Sequence, residues 1–135
     1  MYMLSPKNFT AFLIFCLLLF SSQGYAQTSG SLLAPQSVET TMQSMLSAIQ
    51  TNSYPDFIAA GDQAFQEGMT KEMLSSISQS LTSRLKQGYT VTFLTKLNQQ
   101  GFEVYVWKLE FNDRHDDILQ FMALRNGKVG GFWLR

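Results

Sequence analysis

The stretch that decides the fold is Gly88–Leu134, GYTVTFLTKLNQQGFEVYVWKLEFNDRHDDILQFMALRNGKVGGFWL. From Tyr89 onward apolar residues recur with a period of two, the spacing of a half-buried strand. The pattern predicts four strands, at about 89–97, 102–112, 117–125 and 128–134. Short turns around Gly101, Asp113 and Asn126-Gly127 separate them, so the chain should fold back on itself as an antiparallel meander. Asn126-Gly127 is the strongest signal, because both residues of a tight hairpin turn need positive φ. With these two as the loop, Arg125 faces Lys128.

Strand faces follow from demanding one consistent oily side, since a one-residue slip inverts every side chain. Odd-length loops at the other two turns, each with a positive-φ residue, sort the sheet into two sides. One side then carries Tyr89, Val91, Phe93, Leu97, Tyr105, Trp107, Leu109, Phe111, Leu119, Phe121, Phe132 and Leu134. The other carries Thr90, Thr92, Leu94, Lys96, Val104, Val106, Lys108, Glu110, Ile118, Gln120, Met122, Leu124, Val129 and Trp133, threonines and charges around an apolar band. The first side is expected to meet helices. The second presents an apolar band that no helix is left to cover. Exposed patches of that kind mark interfaces, so the reading is a homodimer joined through the outer face by Leu94, Val104, Val106, Met122, Leu124 and Trp133.

The helices lie upstream. Val38, Met42, Met45, Leu46 and Ile49 form one helical stripe over about Pro35–Gln50. Ser53 and Asp56 suggest a capping box for a short second helix that Gly61 can stop. Asp62–Gly68 reads as a loop or a short strand. Thr70 caps a third long helix, with Met69 and Leu74 as its hydrophobic staple and Met73, Leu74, Ile77, Leu81 and Leu85 as its stripe. Glu72 in its first turn and Arg84 and Lys86 in its last complement the helix dipole, and Gly88 ends it in the left-handed region. Helices first and strands last is the order of an α+β domain.

Further out, Lys7, the ten-residue apolar run Ala11–Phe20, and small residues at Gly24 and Ala26 make a secretory signal cut after Ala26. The run is half of the roughly 20 apolar residues that a membrane span needs. The expected organisation is a signal over 1–26, a loose lead-in over 27–34 and one domain over 35–135. The destination is the bacterial periplasm or the exterior, with no membrane attachment after cleavage. The single Cys16 lies in the leader, which excludes a disulfide scaffold, a Cys nucleophile and a thiolate metal site in the remainder. The 135 residues carry ten Lys/Arg and ten Asp/Glu, without the basic surplus of a nucleic-acid binder.

The blocks Gly88-Tyr89-Thr90-Val91, Gly101-Phe102, Trp107-Lys108-Leu109-Glu110-Phe111, Asp116-Asp117-Ile118-Leu119 and Gly127-Lys128-Val129-Gly130-Gly131-Phe132 resemble small exported bacterial members of the nuclear-transport-factor-like superfamily. Ketosteroid isomerases and polyketide cyclases belong to the same superfamily. The resemblance implies a cone-shaped, cystatin-like fold, helices packed on one face of a curved four-stranded meander. Catalytic members place a carboxylate or a His inside the cone, and no residue here matches one.

The chemical candidates are few. His115, the only His, sits in the polar turn Asn112–Asp117. With Asp113 and Asp117 it could ligate a cation, but Asp and Asn suit such turns for backbone reasons, and zinc wants three or four protein ligands. No metal or cofactor is expected. Tyr89, Tyr105, Trp107 and Phe121, with Asp62 at the rim, form the candidate lining of a concave site for a small apolar molecule. Two functions follow. The leading one is a non-enzymatic exported domain binding a small apolar ligand or a protein partner through the concave face. The alternative is a lyase or isomerase using Asp62 with Tyr89 or Tyr105.

Overall fold

The computed structural model describes residues 33–135. The signal sequence expected over 1–26, and all but the last two residues of the lead-in, lie outside the described residues. Four helices come first: α1 (Gln36–Thr51), α2 (Tyr54–Ile58), α3 (Gln63–Gly68) and α4 (Lys71–Gln87). Four strands follow: β1 (Tyr89–Gln99), β2 (Phe102–Phe111), β3 (Ile118–Arg125) and β4 (Lys128–Leu134). They form one antiparallel sheet in the order β1-β2-β3-β4. The protein is therefore an α+β domain with its helices packed against one face of the sheet.

The helix stripes are buried as their spacing predicts. Val38, Met42, Met45, Leu46 and Ile49 are all in the core. Along α4, Leu74, Leu81 and Leu85 are buried and Ile77 is half-buried. Met73 is a correction: it is 48% exposed, and Ser78 takes the buried place. Ser78 lies inside because its hydroxyl donates to the Ile49 carbonyl at 2.6 Å, satisfying the C-terminal end of α1. Asn52, with φ 53°, closes α1 there. Thr70 caps α4 by accepting from the Met73 N–H at 3.1 Å. The Ser53–Asp56 capping box does not form; the Ser53 hydroxyl donates to the Asp56 carboxylate at 2.6 Å instead. Gly88 ends α4 at φ 103°, ψ 147°. That lies outside the left-handed helical region, in territory open essentially to glycine alone.

Asp62–Gly68 contains a helix, α3, rather than a loop or strand. Asp62 is its cap, with one carboxylate oxygen accepting from the Phe65 N–H at 2.8 Å. The backbone just before it makes a single parallel bridge, Gly61 to Val129.

The strand boundaries agree with the sequence reading, but the faces only partly do. Arg125 pairs with Lys128 as expected, and both Asn126 and Gly127 have positive φ. The expectation of odd loops fails. The β1–β2 turn is the two residues Gln100 and Gly101, both at positive φ, and the β2–β3 connection is the six residues 112–117. Two bulges then restore or invert faces. Leu94 is the extra residue in β1, between Phe93↔Trp107 and Thr95↔Val106. Gly130 is the extra residue in β4, between Leu124↔Val129 and Ala123↔Gly131.

The even β2–β3 connection moves seven residues to the opposite face from that expected. Ile118, Gln120, Met122, Leu124 and Val129 turn to the helices, while Leu119 and Phe121 turn away. The bulge in β1 exchanges Leu97 and Lys96: Leu97 pairs with outward-facing Val104, and Lys96 with Tyr105. The residues that keep their expected side include Tyr105, Trp107, Leu109 and Phe111 towards the helices and Val104, Val106 and Trp133 away from them. The six-residue connection is held by Arg84. Its guanidinium donates to Asp113 at 2.7 Å and to the Asp116 carbonyl at 2.8 Å, and stacks 3.9 Å from the Phe111 ring centroid. The end of α4 is thereby tied to the β2–β3 connection.

Candidate functional site

The residues expected to line a concave site do not converge. Tyr105 and Trp107 stack with ring centroids 6.0 Å apart, and Phe93 closes on both, at 6.2 and 5.9 Å. Phe121 is on the other side of the sheet. Tyr89 packs on Phe111 instead, and lies about 20 Å along the sheet from Tyr105 at the usual rise per residue. Asp62 is at the β4 edge, bridged through its backbone N–H to the Val129 carbonyl at 2.8 Å, three strands away from Tyr89.

The aromatic trio is a packed core with polar ends. Trp107 is fully buried, and its indole N–H needs an acceptor. It donates to the carboxylate of Glu39 in the first turn of α1, at 2.8 Å. A place in the first turn of a helix accounts for Glu39 without any partner, so the one signal for this contact in the sequence is that a buried Trp needs an acceptor. At the other end, the Tyr105 hydroxyl is 3.5 Å from Glu103, which also accepts from Lys96 at 2.8 Å. The Lys96 hydrogen bond pulls the Glu103 carboxyl below its ordinary range. Burial, followed by the nearby Glu103 charge, pushes the Tyr105 phenol up.

The polar turn holds His115 in the open. Its backbone N–H donates to Asp113 at 2.9 Å, a local turn contact. The Arg84 hydrogen bond lowers the Asp113 carboxyl. Among the described residues no group of three or more His, Cys, Asp and Glu is placed to hold a metal ion.

The residues expected at the dimer interface also divide. Met122 and Leu124 are in the helix-side core, because the even connection turned β3 over. Val104, Val106 and Trp133 stay outside, and Leu94 sits on its bulge, 48% exposed. Phe121, Leu119, Leu97 and Ala123 join the outward face. Trp133 is 49% exposed. Its ring lies over Gly131, where a Cβ would have to share its space. Two shallow grooves of about 260 and 590 Å³ run beside this ring, lined by Val104, Phe121, Ala123, Phe102 and Gln99 among others. The Lys108–Glu110 pair, at 3.2 Å, borders the face at the β2–β3 end. A third groove, about 360 Å³, runs between α4 and the β4 edge, lined by Ser76, Ile77, Ser80, Leu81, Ile118, Leu134 and Arg135.

Fold and surfaces together define a class, an α+β domain whose described helices pack on one face of a four-stranded antiparallel sheet that also carries apolar side chains on its other face. No protein-family model matches the chain, and no curated protein matches it in a sequence search. Among the described residues no helix is long and apolar enough to cross a membrane.

Proposed function

We propose that the protein is an exported, non-catalytic binding domain that works as a homodimer joined through the outer face of its sheet. The observation that carries this reading is the apolar outer face of the sheet, where Leu94, Leu97, Leu119 and Trp133 are exposed and Phe121 is half-buried around the buried Val104, Val106 and Ala123. Monomeric proteins rarely leave contiguous apolar patches larger than a few hundred Å². Four strands of about seven residues span on the order of 450 Å² in plan, from strand spacing and rise. A second copy suits this face because a two-fold interface must match itself. The apolar centre is self-complementary, and Lys108 and Glu110 already neutralise each other at its border.

Export is supported by Lys7, the Ala11–Phe20 run and the small residues Gly24 and Ala26. Kinship with the nuclear-transport-factor-like superfamily belongs to the same reading, supported by the element order of helices followed by an antiparallel meander. The lyase or isomerase alternative draws no support from Asp62, one of whose carboxylate oxygens caps α3 and whose backbone is tied to β4, three strands from Tyr89 and two from Tyr105. Sedimentation equilibrium tests the proposal. The processed chain should sediment as a dimer at micromolar concentration, and Trp133→Glu should sediment as a folded monomer. A wild type that remains monomeric at high micromolar concentration overturns it.

A further inference from the structure

Gln120 is fully buried, and neither its amide nitrogen nor its amide oxygen has a hydrogen-bond partner. Most buried polar side-chain atoms in folded proteins have one, and an orphaned pair asks for an explanation. The sheet shows where a partner could come from. Gln120 lies opposite Leu134 on β4 and two residues from Ile118 on the same face of β3. Both neighbours line the groove between α4 and the β4 edge, with Ile77 and Leu81 across from them. Gln120 does not itself line the groove, but its strand neighbours Ile118 and Leu134 do, and the groove's volume of about 360 Å³ is at the small end of ligand-site volumes.

The chemistry of the guest follows from what is free. A donor and an acceptor side by side on one amide are the complement of a second amide, which returns one acceptor and one donor. A charged guest does not suit the position, because the flanking Trp107, Leu134, Ile118 and Met122 are uncharged and burying an unpaired charge is costly. We propose that the α4–β4 groove opens onto Gln120 and takes a small uncharged apolar molecule bearing a carboxamide or lactam, whose amide pairs with that of Gln120. This site lies on the helix side of the sheet and is independent of the dimer reading.

The test uses octanamide as the probe and methyl octanoate, which accepts but cannot donate, as its match. On titration into the processed chain, octanamide should shift the Gln120 side-chain NH2 and the Ile77 methyl resonances. It should bind at least tenfold more tightly than the ester. Gln120→Leu should weaken octanamide binding tenfold or more and weaken the ester, which loses one hydrogen bond and not two, by a smaller factor. Ser80→Trp, which alters only an exposed helix position at the groove, should block both probes. Should Gln120→Leu fail to fold, the amide–ester ratio and Ser80→Trp decide the matter. Equal binding of the two probes, undiminished binding to Gln120→Leu or Ser80→Trp, no binding up to the solubility of octanamide, or a crystal structure in which the Gln120 amide remains bonded only to water in the presence of the probe would each overturn the site.

Discussion

The two faces of the sheet are built from the same strands by the same alternation, yet they are finished differently. The helix side closes over Trp107, Leu109, Met122 and Val129, each fully buried, and even supplies Glu39 for the Trp107 indole. The outer side buries Val104 and Val106 outside the helix-side core cluster and leaves Trp133 half in solvent. A face can therefore be apolar without being part of the domain's own core. What distinguishes the two, among the described residues, is that the helices lie on one of them.

The sharpest way to break that comparison is to truncate one tryptophan on each face. Trp107→Ala should cost about 3–5 kcal/mol, the range for a large buried aromatic, and Trp133→Ala should cost under about 1 kcal/mol at concentrations where the chain is monomeric. Urea midpoints measure both. Equal losses would mean that the outer face is core in its own right. Next in size, Gln120→Leu should stabilise the ligand-free protein by about 1–3 kcal/mol, because it removes an unpaired buried amide. A loss of stability on thermal melting would mean that the amide has an ordered partner.

Gly88→Ala should cost about 1 kcal/mol or more. It forces an L-residue to φ 103° and brings a Cβ within 2.5 Å of the Asn112 side-chain nitrogen. The smallest effect concerns pH. Arg84 holds the Asp113 carboxyl below its ordinary 3.8. A carboxyl depressed in the folded state stabilises the fold above its unfolded value, and that stability is lost as pH falls through the folded one. Asp113→Asn should therefore be less stable than wild type at pH 7, and the gap should shrink as pH falls below about 3.8. A gap that does not change with pH would show that the Arg84 contact contributes nothing through its charge.

The helical half was legible because its signals are local and redundant. The stripe from Val38 to Ile49, the Thr70 cap and the stop at Gly88 each depend on neighbours within a turn or two. The sheet's faces were legible only where one parity is polar. In β2, Lys108 and Glu110 mark the outside unambiguously. In β3, Ile118-Leu119-Gln120-Phe121-Met122-Ala123-Leu124 is apolar at both parities except for Gln120, and that one polar residue pointed to the wrong side. No local rule announces that Leu94 and Gly130 are bulged, or that Arg84 fixes an even connection by gripping Asp113 and the Asp116 carbonyl. The candidate concave site failed for the same reason, since it needed Phe121 beside Trp107. The Glu39–Trp107 contact spans elements that are distant in sequence, beyond the reach of any periodicity.

The central claim is that the outer face meets its own copy. Isotope-filtered NOE spectroscopy on a one-to-one mixture of labelled and unlabelled processed chain measures that directly. The account predicts intermolecular NOEs from the Val104 and Val106 methyl groups to the Phe121 and Trp133 rings. Their absence at concentrations where the protein sediments as a dimer, or intermolecular NOEs confined to helix residues, would contradict it.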